Sequence, residues 1–257
     1  MKISTLSEFV EAVLQIKRNS VSGASTEPIW FRGHSDIRWE LKPSLYRGNH
    51  DPEYEREMIR DFKLNLHNFY EKVPEREIEI LFIMQHYGCP TRLMDWTESS
   101  LVALFFAVYN TVDADACVWV LFPWSLNKLF LDPMLLSVPE ITHDIVKNYE
   151  LNNYNAKIIN RCVVGEDPIA IRPPRKTHRI LAQRGVFTIH GCKADPFQNI
   201  MLNKKGLKID KIDIEKDSKK SLMRELMDSG ITHSVLFPEI AGLASEVNYK
   251  FSKSFLF

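Results

Sequence analysis

The chain has none of the short motifs that announce the common catalytic and targeting classes. Its four cysteines, Cys89, Cys117, Cys162 and Cys192, form no CxxC pair and show no metal-binding spacing. Thiols scattered in this way are expected to be reduced and mostly buried. The eight histidines include no HExxH or HxH pair, which disfavours metal catalysis. No GxSxG elbow, Walker loop or GxGxxG is present, so acyl transfer and nucleotide hydrolysis lose their usual support. An excess of either charge is missing too: 33 Lys and Arg balance 33 Asp and Glu. Nucleic-acid contact, if any, must therefore come from a local patch. No run reaches the roughly 20 apolar residues of a membrane span, and MKISTLSEFV lacks the basic flank and apolar core of a signal peptide. The expected setting is the cytoplasm, with no membrane partner.

What is present is an ordinary globular composition, 45% hydrophobic and 26% charged, over 257 residues without repeats or low-complexity linkers. Thr5-Leu6-Ser7-Glu8 is a capping box, and Leu6, Phe9, Val10, Val13 and Leu14 recur at helical spacing, predicting a helix over 5–19. Residues 29–33 read as a short strand. Further helices are expected over 52–71, 75–87 (closed by Gly88) and from Thr97 as N-cap to Tyr109, the last apolar nearly all round. Residues 116–122, 168–172 and 186–190 read as strands, and 207–214 as an edge strand. Residues 124–160 look helical and irregular. Short helices are expected over 177–183, ended by Gly185, and over 217–229, with a last helix running to about Lys250. The pattern predicts one α+β domain over 1–257, with short mixed strands surrounded by helices and a motif-bearing core over 29–245.

Two stretches carry chemistry. In Trp30-Phe31-Arg32-Gly33-His34 an Arg on a strand is followed by a residue without a Cβ. Another backbone or a ligand can come close to Gly33, and Arg32 can grip a pair of anionic oxygens; pairing of Arg32 with a surface carboxylate is the plain alternative. The second stretch runs from Gln85 to Thr97 and sets Gln85 and His86 at a helix end, then Thr91, Arg92, Asp95 and Trp96 before the next helix. A helix N-terminus and Arg92 suit phosphate, and Trp96 or Tyr87 can stack on a planar ring. Equally, Arg92 can pair with Asp95 while Trp96 joins the core. Glu239, after Phe237-Pro238, stands where the last helix dipole alone would justify a carboxylate.

Phe31-Arg32-Gly33, Lys42-Pro43-Ser44-Leu45, Gln85-His86-Tyr87-Gly88-x-Pro90-Thr91-Arg92-Leu93-x-Asp95-Trp96-Thr97, Gln183-x-Gly185-x-Phe187 and Phe237-Pro238 with Gly242-Leu243-Ala244 together resemble the FRG domain, in order and over nearly the whole chain. Met94 and Ala241 depart from that pattern, where Leu and an acidic residue are usual; the second shifts attention to Glu239. The Arg-Gly strand also resembles the first motif of ADP-ribosyltransferases, and FRG-domain proteins are associated with toxin–antitoxin and phage-defence settings. The resemblance implies an ADP-ribosyltransferase-like core and a toxin that consumes NAD without a metal, with nucleic acid (RNA or DNA) or protein as acceptor and a cognate antitoxin as partner. The C-terminal helix or the charged segment 203–220 would be the docking surface. It further implies that Arg32, Gly33, His34, Ser44, Tyr46, Gln85, His86, Thr91, Arg92, Trp96 and Gln183 hold NAD. Arg32 with Asp95 or Glu239 would act on the glycosidic bond. A metal-independent ribonuclease using His86, Arg32 and Arg92, and a non-catalytic nucleotide- or nucleic-acid-binding module, remain as alternatives.

Overall fold

The computed structural model describes residues 2–20, 27–48, 54–110, 113–131, 137–150, 167–191, 195–202 and 209–252. The strands are β1 (Lys2–Ile3), β2 (Trp30–His34), β3 (Leu93–Thr97), β4 (Ala116–Leu121), β5 (Ile169–Ile171), β6 (Gly185–Ile189) and β7 (Ile209–Ile214). The helices are α1 (Leu6–Ser20), α2 (Glu55–Leu66), α3 (Glu77–His86), α4 (Ser100–Val108), α5 (Pro123–Phe130), α6 (Asp144–Lys147), α7 (His178–Ala182), α8 (Phe197–Leu202), α9 (Lys219–Asp228), α10 (His233–Leu236) and α11 (Ile240–Lys250). All seven strands join one sheet in the order β1-β7-β4-β2-β3-β6-β5, antiparallel except where β1 meets β7. The fold is the expected α+β type.

Local chemistry explains most boundaries. The capping box at α1 forms reciprocally: Glu8 N–H donates to Thr5 Oγ1 and Thr5 N–H to Glu8 Oε2, both at 3.3 Å. Gly88 takes φ 83° and closes α3, and Gly230 takes φ 82° after α9. Gly185 does not play that part after α7. Arg184 does, at φ 48°, and Gly185 is already in β6. β7 is not an edge strand, because β1, which lacks any periodic signal at two residues, lies outside it. The expected loop at 91–97 is largely strand, and Ser99 rather than Thr97 caps α4 by accepting the Val102 N–H. Cys117 is buried and burial pushes its thiol up to about 12, while Cys89 is half-buried; both are free. Cys162, Cys192 and residues 203–208 lie outside the described residues.

Strand alternation puts Phe31, Val118, Val120, Ile212 and Ile214 on one sheet face, where α1, α4 and α9 pack through Phe9, Ala103, Phe105 and Leu222. On the same face, α2 and α3 pack Ile59, Ile78, Leu81 and Met84 on Leu93, Phe187, Ile189 and Ile171. These are two separate clusters, and the seam between them runs along the junction of β2 and β3. The opposite face is closed by Trp30, Met94, Trp96, Leu126 and Phe197.

Near the C-terminus, Glu246 fastens α11 to α10 by accepting the Ser234 N–H at 2.9 Å and pairing with Lys250 Nζ at 2.6 Å. Burial alone would raise its pKa, but the Lys250, Ser234 and Thr232 donors outweigh burial and hold it at about 2. A depressed carboxylate stabilises the fold above its unfolded pKa of 4.5 and loses that contribution as pH falls toward 2. Acid titration followed by amide exchange is therefore expected to release α10 and α11 between these values, and Glu246→Gln to remove that step.

Candidate functional site

β2 pairs with β4 along its whole length, from Trp30↔Leu121 to His34↔Cys117, but meets β3 at one pair only, Phe31↔Thr97. Beyond that bridge the two central strands part, while β3 remains fully paired with β6. The split coincides with the seam between the two helical layers. Arg32 lies in it, its side chain 16% exposed.

Arg32 is held from two sides. Its Nη1–H donates to the Asp95 carbonyl at 2.5 Å, and its Nε–H donates to His34 Nε2 at 3.2 Å. Nη2 has no protein partner among the described residues, so two N–H donors remain for a ligand. Burial pushes the Arg32 pKa down, and the Asp95 carboxylate, 3.8 Å from Nη1, opposes it. His34 is held neutral near pKa 3 by burial and by the Arg32 charge, so it accepts from Arg32 rather than repelling it.

A chain of hydrogen bonds runs on from Arg32. Asp95 Oδ2 accepts Gln85 Nε2–H at 2.9 Å, and Gln85 Oε1 accepts the Thr91 hydroxyl at 2.5 Å. Thr91 N–H donates to Ser44 Oγ at 3.1 Å, and that hydroxyl returns a bond to the Thr91 carbonyl. Six residues singled out in the sequence (His34, Arg32, Asp95, Gln85, Thr91 and Ser44) thus form one connected network. The Asp95 side chain is 56% exposed, so its carboxylate is open to solvent beside an enclosed cation.

Other expectations need correction. Arg92, expected in a phosphate pocket, is 1% exposed; its Nε is 3.1 Å from Glu55 and its Nη2 is 3.4 Å from Glu77 and bonded to the Tyr149 carbonyl. It pairs with two carboxylates from α2 and α3, not with Asp95, and offers nothing to a ligand. Trp96, considered for stacking, is 3% exposed with its indole N–H on Thr188 Oγ1, so it is core. The close approach that Gly33 permits is taken by α4: a Cβ there would overlap the Ala103 carbonyl oxygen and come 2.7 Å from Ala107 N. The Tyr46 hydroxyl donates to the Gly191 carbonyl at 2.5 Å, and burial pushes its pKa up. Gln183 spans from α7 to the Leu236 carbonyl through Nε2.

His86 and Glu239 belong to a second group near the seam. The His86 pKa is lowered by burial and by Arg179, with Glu239 opposing. Glu239 is exposed at the N-cap of α11, without a capping bond from its side chain. Arg179 was missed in the sequence. It lies 4.7 Å over the Phe237 ring, which stacks in turn on His233, a cation held by an aromatic face. The available signal was compositional: residues 172–184 carry five Lys or Arg and no acid. Among the described residues no three His, Cys, Asp or Glu side chains converge as a metal site requires, and no helix is long and apolar enough to cross a membrane.

The family model described as FRG domain matches residues 27–116, the stretch from the approach to β2 through α4 to the first residue of β4. It contains both sides of the split. No curated protein and no solved structure gives a significant match to the chain.

Proposed function

We propose that the protein is an NAD-consuming ADP-ribosyltransferase-like toxin, because residues 27–116 match the FRG domain model and hold a tethered arginine in the strand split. The observation that carries this reading is the Arg32–Asp95 pair, an enclosed guanidinium with free donors beside an exposed carboxylate. Arg32 Nη2 supports the reading as the grip on a phosphate or ribose oxygen of NAD. Cleaving the glycosidic bond sends its electron pair to the nicotinamide nitrogen, which leaves neutral and needs no general acid. The ribose is left with oxocarbenium character, as in glycoside hydrolysis. The acceptor donates a lone pair to that carbon and loses a proton. Asp95, 3.8 Å from Arg32, is the carboxylate best placed to stabilise the cation or take that proton. Glu239 has no contact with this network among the described residues, and its field acts on His86 instead.

The acceptor under this reading is nucleic acid or protein, and the cytoplasmic partner is an antitoxin. The exposed stripe of Ile240, Leu243 and Val247 on α11, continued by Phe251 at its C-cap, supports such docking. The ribonuclease alternative, built on His86, Arg32 and Arg92, draws less support, since Arg92 is enclosed between Glu55 and Glu77.

Purified protein incubated with NAD and cellular RNA, DNA and lysate is expected to release nicotinamide and add one ADP-ribose to an acceptor, read by mass spectrometry. Arg32→Ala should cut turnover by about 100-fold or more, the scale of losing one preorganised electrostatic contact. Asp95→Asn should cost more than Glu239→Gln. No nicotinamide release from any mixture would end this reading, and RNA cleavage without NAD would replace it with the nuclease.

A further inference from the structure

A groove of about 780 Å³ opens at the other end of the β2–β3 junction, across the Phe31↔Thr97 bridge from Arg32. That volume is typical of small-molecule sites. Its apolar lining includes Val13 of α1, Leu101 of α4 and the half-buried Trp124 of α5. Its cationic lining is Lys17, Arg172 and Arg184. Its acids are already engaged. Glu27 accepts from Ser125 N–H at 2.6 Å and from the Ser125 hydroxyl at 2.8 Å. Glu98 is shared between Arg172 and Arg175, each at 2.7 Å, so two guanidinium charges meet one carboxylate. Ser100 and Leu101, at the start of α4, also line the groove, and the first N–H groups of a helix lack internal partners.

Arg184 is the telling residue. It holds φ 48°, a left-handed conformation that glycine adopts without the penalty a side chain incurs. Its guanidinium makes no hydrogen bond or ion pair among the described residues, and it lines the groove. The left-handed backbone belongs to the end of α7, and the exposed guanidinium is left available to a ligand in the groove.

We propose that this groove binds a nucleoside phosphate, the base against Trp124 and the apolar lining, the phosphate against Arg184, Arg172 and the start of α4. The site is separate from the Arg32 split and does not depend on the transferase reading.

The probe is ADP, titrated calorimetrically into the Arg32→Ala protein, so that the split does not contribute. One ADP per chain is expected, with adenosine and inorganic pyrophosphate each binding more weakly. Arg184→Gly should weaken ADP at least tenfold while leaving the melting temperature unchanged or higher, because glycine relieves the backbone. If that chain melts lower, Arg184→Gln reads the charge alone, and the same tenfold loss is expected. Trp124→Leu should also weaken ADP. Absence of ADP binding, undiminished binding in both Arg184 variants, or pyrophosphate binding as tightly as ADP would each overturn the proposal. Nicotinamide release by the wild-type chain is measured separately, so either reading can fail without the other.

Discussion

Arg92→Ala is expected to destabilise the protein by about 3–5 kcal/mol, the range for removing one partner of a buried ion pair. The cause is what remains. Glu55 and Glu77 both face the guanidinium, their side chains 7% and 2% exposed, and without it two carboxylates would be left in a low-dielectric interior. Chemical denaturation monitored by circular dichroism would measure the loss, and a shift below about 1 kcal/mol would contradict the ion-pair account. Arg92→Lys should recover little, since one ammonium cannot reach both carboxylates and the Tyr149 carbonyl.

The same cluster has a pH signature. Burial raises the Glu55 pKa, Arg92 lowers it and Glu77 raises it further, with a net upward shift. A raised carboxylate favours the folded state fully below its unfolded value of 4.5, and that contribution is lost as pH rises through the folded value. Glu55→Gln should therefore flatten this part of the stability profile. In the Arg92→Ala background it should recover stability, most strongly at neutral pH, where the carboxylate would otherwise have to be charged.

Arg92 also shows where the sequence stopped being legible. Arg92 and Arg32 are both arginines beside motif residues, and both suggested a phosphate pocket. What separates them is which layer each side chain enters. That depends on the register of β3, and the apolar spacing of residues 91–97 was too short to reveal a strand at all. Helices with a full apolar face were readable because several turns repeat the signal, as in α1 and α9. α3 was readable for a different reason, its left-handed Gly88. β1 has two residues and no period, and the parting of β2 from β3 is a property of two segments 66 positions apart at their one bridge, Phe31 and Thr97. Asp95, Gln85 and Thr91 were picked out as polar residues in a loop. Their assembly into one chain with Arg32 and Ser44 depends on long-range contacts that local pattern does not encode.

Gly33→Ala is expected to be the most damaging small substitution in residues 27–116, costing about 3 kcal/mol or more. A methyl group at position 33 would meet the Ala103 carbonyl and the Ala107 amide, both backbone, so no rotamer change relieves it. α4 would have to lift off β2, opening the cluster of Phe31, Ala103, Phe105 and Val118. Gly88→Ala gives the contrast. Nothing lies within 4 Å of a Cβ there, so its cost is the conformational one of a left-handed residue, about 1–2 kcal/mol. Thermal melts of the two variants side by side separate packing from backbone preference, and equal losses would refute the close-packing argument. The difference also decides how activity data are read. Gly33→Ala would abolish any activity by moving the strand that carries Arg32, whatever the chemistry. Arg32→Ala removes the enclosed guanidinium between β2 and β3 and leaves α4 seated on Gly33, so loss of turnover in that variant, with an unchanged melt, speaks to the reaction itself.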